Sequence, residues 1–171
     1  MPRRHNLPRR SRKPNAEAHG MMHPIGRSIA IARMRASLRT MQLHLHLMPD
    51  GADARHVLPD AAWLLGLGCE IALAHHAPDG RVLHGALRGV AQMAVQGCRW
   101  QSQQALAIDQ AVQRSQALFE AHTETACMAQ EGARRLADAI EQGTVRMSDV
   151  AGAEIYREAA IPKHHPHQTP A

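Results

Sequence analysis

Apolar side chains recur through this sequence at alternating steps of three and four residues, the spacing that places them along one face of an α-helix. The longest clear run is Ile31, Met34, Leu38, Met41, Leu45 and Met48. Aromatic residues make up only 2% of the 171 positions, whereas strands depend largely on aromatic and β-branched side chains. The sequence therefore predicts an all-α fold, a helical bundle of four to five helices.

Turn-forming residues divide the first half of the chain. Pro49-Asp50-Gly51 and Pro78-Asp79-Gly80 have the composition of tight turns. They bound two predicted helices, over about 28–48 and 59–77. The stretch Gln42–Leu47 alternates polar and apolar residues, so a strand is the alternative at the end of the first helix.

The second half of the chain lacks such turn-forming residues over a long stretch. From 81 to about 141 the sequence contains no proline and no cluster of loop residues. This predicts one long helix (about 81–141), or two helices joined by a soft break near 123–131. A last short helix is predicted over about 148–160. A helix of that length would extend beyond its partners, which predicts a homo-oligomer formed through its distal part.

The apolar face of the predicted long helix also contains polar residues. This face is apolar at its N-terminal end and then includes Gln101, Gln104 and Ser115. In a coiled-coil seam such residues fix register or partner number at a cost in stability, and the alternative is that they face solvent. Close approach of neighbouring helices is predicted at four glycines, Gly66, Gly68, Gly85 and Gly89.

Positive charge is concentrated at the start of the chain. Residues 1–48 carry ten basic side chains against one acidic side chain, and residues 49–171 have a net charge of −4. The first basic residues are Arg3, Arg4, Arg9, Arg10, Arg12 and Lys13. We predict a disordered basic tail (1–26), a helical bundle domain (27–160) and a disordered polar tail containing His and Pro (161–171). Translation from Met21 or Met22 would remove the basic tail.

Cysteine usage and hydropathy indicate the compartment. The three cysteines, Cys69, Cys98 and Cys127, lie in apolar surroundings without C-x-x-C spacing, which is typical of reduced, buried thiols. The longest apolar stretch, 61–74, is too short to span a bilayer. We therefore expect a cytoplasmic protein that does not enter a membrane. The 18 arginines against 2 lysines are typical of a bacterial coding sequence rich in G and C.

Histidine is the most abundant residue with metal-binding or acid–base chemistry, at 13 copies. His75, His76 and His84 flank the predicted 78–80 turn and are weak candidates for a metal site, because no second thiol or carboxylate has ligand spacing. The sequence contains no phosphate-binding loop, dinucleotide fingerprint, hydrolase elbow or metalloprotease motif. We therefore predict no metal, no cofactor and no enzymatic activity.

Two classes of function fit these observations. The first is an interaction or scaffold protein that acts through helix–helix association, with itself or with another protein. The second is an accessory nucleic-acid-binding protein, in which the N-terminal basic residues, with Arg35 and Arg39, contact phosphates independently of base sequence.

Overall fold

A computed structural model describes residues 24–150. It contains five α-helices: α1 (Pro24–His44), α2 (Leu58–Ala74), α3 (Gly80–Val95), α4 (Ala105–Ala121) and α5 (Thr123–Glu141). Short 3-10 turns lie at Ser102–Gln104 and Met147–Val150. Within residues 24–150 no strand forms, and the one bridge-type pairing is isolated, between Asp53 and Arg99. The predicted all-α bundle is confirmed.

The central helix of the bundle is α2, which packs against α5, α3, α4 and α1. No charged residue occurs between Asp60 and Glu70, and every residue from 61 to 69 is buried. A helix that is apolar around its whole circumference is stable only when other helices surround it. The stretch of α2 from 61 to 69 is therefore covered on all sides.

Glycine permits the closest approach to α2. The helices α2 and α5 are antiparallel, because His75 after α2 bonds to Thr125 early in α5 while Gly66 faces Ala133. A Cβ on Gly66 would lie 3.4 Å from the Ala133 Cα. The predicted close packing is thus confirmed at Gly66. At Gly85 it is wrong, because that residue is exposed and has no neighbour within 4 Å of an added Cβ.

The prediction of one long helix over 81–141 is wrong, because three helices occupy this stretch. The first of them ends at Val95, where Gly97 (φ +86°) and Cys98 (φ +57°) turn the backbone. The Cys98 amide donates to the Met93 carbonyl at 2.9 Å, which satisfies a free carbonyl in the last turn of α3. Gly97 and Cys98 therefore form the C-terminal stop of α3.

A long-range pairing holds this turn in place. The α1–α2 connection runs beside the α3–α4 connection. Gly51 donates to the Trp100 carbonyl (2.8 Å), Trp100 donates to Ala52 (2.9 Å), and Ala54 donates to Cys98 (2.8 Å). The Trp100 side chain is only 1% exposed. These partners lie about fifty positions apart in the sequence, so apolar periodicity could not predict that they pair.

The second break lies at His122, one residue before the predicted interval. The polar residues of the predicted seam also separate: Ser115 is fully buried, whereas Gln101 and Gln104 are half-buried. Because α3, α4 and α5 all pack on α2, none of them is the overlong helix on which the predicted homo-oligomer depended. Self-association remains a prediction without that support.

The first helix is confirmed with shifted ends. It begins at Pro24, four residues earlier than predicted, and it is helical to His44, followed by a turn over 45–47. The alternative of a strand over 42–47 is therefore wrong. The predicted basic tail up to residue 23, the helix beyond Val150 and the C-terminal tail lie outside the described residues.

Candidate interaction surface

The helix α1 is attached to the bundle by a narrow buried stripe. Its buried members are Ala30, Met34, Ser37, Met41 and Leu45. The Ser37 hydroxyl donates to the Asp60 carboxylate at 2.6 Å, and the Arg33 guanidinium lies 4.8 Å from the Trp63 ring centroid. Both contacts join α1 to the start of α2. Apart from a smaller contact with α5, the outer side of α1 is exposed among the described residues.

A groove lies between α1 and α4. Its volume is about 290 Å³, and its lining residues are Ile31, Met34, Arg35, Leu38, Gln116, Phe119, Glu120 and Thr123. Met34 and Phe119 are buried and form the floor, whereas Ile31 and Leu38 are half-buried. We call this the α1–α4 groove. Ile31 and Leu38 belong to the predicted α1 stripe, but the helix is rotated so that they face the groove.

The α1 wall of the groove contains Arg35, which belongs to a row of arginines along the helix. Arg27, Arg35 and Arg39 are exposed and lie with Ile31 at four-residue steps, so they share one side of α1. Among the side chains that the structure describes, none of the three has a carboxylate within 4.0 Å. We call these residues the α1 arginine row. It contains Arg35 and Arg39, both predicted from the sequence as phosphate contacts.

The opposite wall is mildly acidic. The Gln116 amide donates to the Glu120 carboxylate at 2.9 Å, so the end of α4 presents a carboxylate that already has a hydrogen-bond partner.

Near the start of α5, burial raises the pKa of the Cys127 thiol, the nearby Arg27 charge lowers it, and Glu124 raises it. The net direction is upward, so this thiol is neutral at pH 7 and does not behave as an activated nucleophile.

A second exposed apolar area lies at the opposite end of α1. Leu43 and Leu47 are 56% and 77% exposed, and Leu106 of α4 is 62% exposed. They lie around a contact of 3.7 Å between His46 and Asp109.

The structure does not bring the candidate metal ligands together. His75 stacks on His122, with ring centroids 3.7 Å apart and planes 18° from parallel. His84 is buried, and its Nε2 bonds to the Val150 carbonyl at 2.9 Å, whereas His76 is exposed in a left-handed conformation (φ 51°). Within residues 24–150 there is no group of three or more side chains suited to a metal ion.

The other predicted basic residues, Arg3, Arg4, Arg9, Arg10, Arg12 and Lys13, lie outside the described range. Sequence reasoning missed the contribution of α4 to the site, namely Gln116, Phe119 and Glu120, and that of Thr123 at the start of α5. The available signal was the apolar pattern of α1, which is wide enough to form a second stripe, with Ile31 and Leu38, beside the buried one. Which helix would face that second stripe depends on tertiary packing.

Residues 24–150 contain no helix that is both long and apolar enough to cross a membrane. A scan against models of known protein families finds no match, and searches of curated proteins and of solved structures find no significant match. Arguments about function therefore depend on the geometry and charge of this chain alone.

Proposed function

We propose that this chain is a non-enzymatic interaction protein that binds a helix of another protein in the α1–α4 groove. The observation that carries this proposal is the combination of an apolar floor with a row of arginines that have no carboxylate partner among the described side chains. Helix-in-groove recognition uses this combination: apolar residues at i, i+3 or i+4 and i+7 enter the groove, and charges at its edge set orientation.

The size of the groove favours side chains of a helix over a small molecule. At about 290 Å³ it lies at the lower end of the range for small-molecule sites, which are deeper and hold convergent polar groups. Its charged lining residues, Arg35 and Glu120, belong to different helices and form no ion pair within 4.0 Å. An elongated apolar strip between two helices fits a row of two or three side chains better.

The experiment uses a designed amphipathic helical peptide with a leucine stripe and uncharged glutamine flanks. The full chain is expected to bind it, and Leu38→Ser is expected to weaken binding about tenfold, because burying one leucine contributes about 1.5–3 kcal/mol. The readout is fluorescence anisotropy of the labelled peptide. The matched control is Leu43→Ser on the same helix, outside the groove lining, which should leave the affinity unchanged. Equal loss in both variants would contradict the proposal.

Sequence-independent binding of nucleic acid is the second candidate function. The observation that favours it is the same α1 arginine row, which continues the basic charge of residues 1–23. Arginines that contact phosphates release condensed counterions, so affinity would fall steeply with salt. An apolar floor between the arginines and α4 has no role in such binding, and for this reason we place it second.

A further inference from the structure

The charge of the described chain is divided between α1 and the remainder. Residues 24–150 carry twelve basic and twelve acidic side chains, yet α1 contains four arginines and no acidic residue. The rest of the described chain therefore has an excess of four negative charges. The surface of α1 is where a partner would encounter concentrated positive charge.

Four other arginines of the described chain lie beside carboxylates, whereas those of the α1 arginine row do not. Arg55, Arg114, Arg134 and Arg135 each lie within 4.0 Å of a carboxylate. Arg81 and Arg88 on α3 have no such contact among the described side chains, but they do not line the α1–α4 groove. In the α1 arginine row, by contrast, Arg35 lines the apolar α1–α4 groove and has no carboxylate within 4.0 Å among the described side chains.

Covering the groove affects these charges directly. A helix lying on Ile31 and Leu38 would displace water from Arg35, which lines the same groove, and would approach Arg39 one turn away. Removing water from a guanidinium without a compensating charge opposes binding, and a basic partner would add repulsion. Carboxylates spaced four residues apart on the partner would match the spacing of Arg35 and Arg39.

We infer that the partner helix is acidic: its apolar stripe is bordered by Asp or Glu on the edge that faces α1. This inference rests on the proposed function and narrows it to a class of partner.

The test compares three designed peptides with the same leucine stripe and with glutamate, glutamine or lysine flanks, binding to the full chain. We expect the glutamate peptide to bind about fivefold more tightly than the glutamine peptide, since two exposed ion pairs contribute this order of affinity. The lysine peptide should bind most weakly. The double variant Arg35→Glu/Arg39→Glu should reverse the order, and the charge-matched control Arg81→Glu/Arg88→Glu should preserve it.

Each outcome has a defined meaning. Equal binding of the three peptides, lost in Leu38→Ser, would overturn the acidic partner and leave the groove function intact. Binding of none of them would overturn both. A random DNA duplex is included as a competitor at low and high salt. The result that would favour nucleic-acid binding has three parts. The duplex binds while the peptides do not, the duplex loses affinity in Arg35→Glu/Arg39→Glu, and its binding is unaffected by Leu38→Ser. In that case nucleic-acid binding replaces the interaction with a helix.

Discussion

Gly68 of α2 lies against Ser115 of α4, and this contact sets the distance between the two helices. Ser115 is fully buried, and its hydroxyl donates to the Leu64 carbonyl on α2. A Cβ on Gly68 would lie 2.5 Å from Ser115 Oγ and 2.8 Å from Ser115 Cβ. Ser115 is a polar group whose burial is compensated by a specific acceptor, as a buried hydroxyl requires.

Gly68→Ala should therefore lower the free energy of unfolding by about 2 kcal/mol, because the added methyl group overpacks the core and displaces a hydrogen-bonded side chain. Gly85→Ala on α3 is the matched substitution at an exposed glycine with nothing within 4 Å. It should raise stability by roughly 0.5–1 kcal/mol through helix propensity alone. Urea denaturation measures both, and stabilisation by Gly68→Ala would contradict the packing described here.

At the scale of elements, the pairing of two connections explains why the chain forms three helices after residue 80. Asp50, in the α1–α2 connection, accepts hydrogen bonds from the Ser102 amide (2.9 Å) and hydroxyl (3.2 Å). Ser102 begins the 3-10 turn that leads into α4. The carboxylate therefore caps the start of an element that is fifty-two positions away in the sequence.

Asp50→Ala should reduce the free energy of unfolding by about 1 kcal/mol, the usual cost of losing such a cap. Asp53→Ala is the control, because among the described residues the Asp53 carboxylate contacts only the neighbouring Arg55 in the same connection. Its removal should change stability by less than about 0.5 kcal/mol. Thermal unfolding followed by circular dichroism compares them. Equal losses would show that the contact between the connections has no special role.

The sequence predicted helices well and their connections poorly, for a physical reason. Apolar spacing reports which residues are buried in a helix, and it located α1 and α2 to within a few residues. It could not show that Gly97 terminates α3, because a glycine inside a helical pattern and a glycine after its end look alike. The hydrogen bonds that hold the turn after α3 join Gly51 and Ala54 to residues 98–100, and these partners are far apart in the sequence.

At the scale of the whole molecule, the chain is organised around a helix that has no exposed face in its middle and a helix with one free side. The helix α2 contacts the four other helices, so its hydrogen bonds open only when the bundle unfolds. The helix α1 is held mainly by its contacts with α2 and α5. Its outer side carries the α1 arginine row and one wall of the α1–α4 groove.

This arrangement also explains how much of the candidate site was predictable. Arg35 and Arg39 could be selected from charge segregation along the sequence, and their exposure agrees with a role in binding. The groove could not be predicted, because Phe119 and Glu120 join Ile31 and Leu38 only through the path of the chain around α2. Local patterns define faces of helices, whereas a site between helices requires the tertiary arrangement.

Hydrogen exchange of the full chain, with and without the glutamine-flanked leucine peptide, tests the central claim most directly. Without the peptide, the slowest amides should lie in α2. With it, protection should increase in α1 and in the last turns of α4, and not in α3. A scrambled peptide that forms no apolar stripe is the control. Protection centred on α3 or on the area around Leu43, Leu47 and Leu106, or no change in any helix, would contradict binding at the α1–α4 groove.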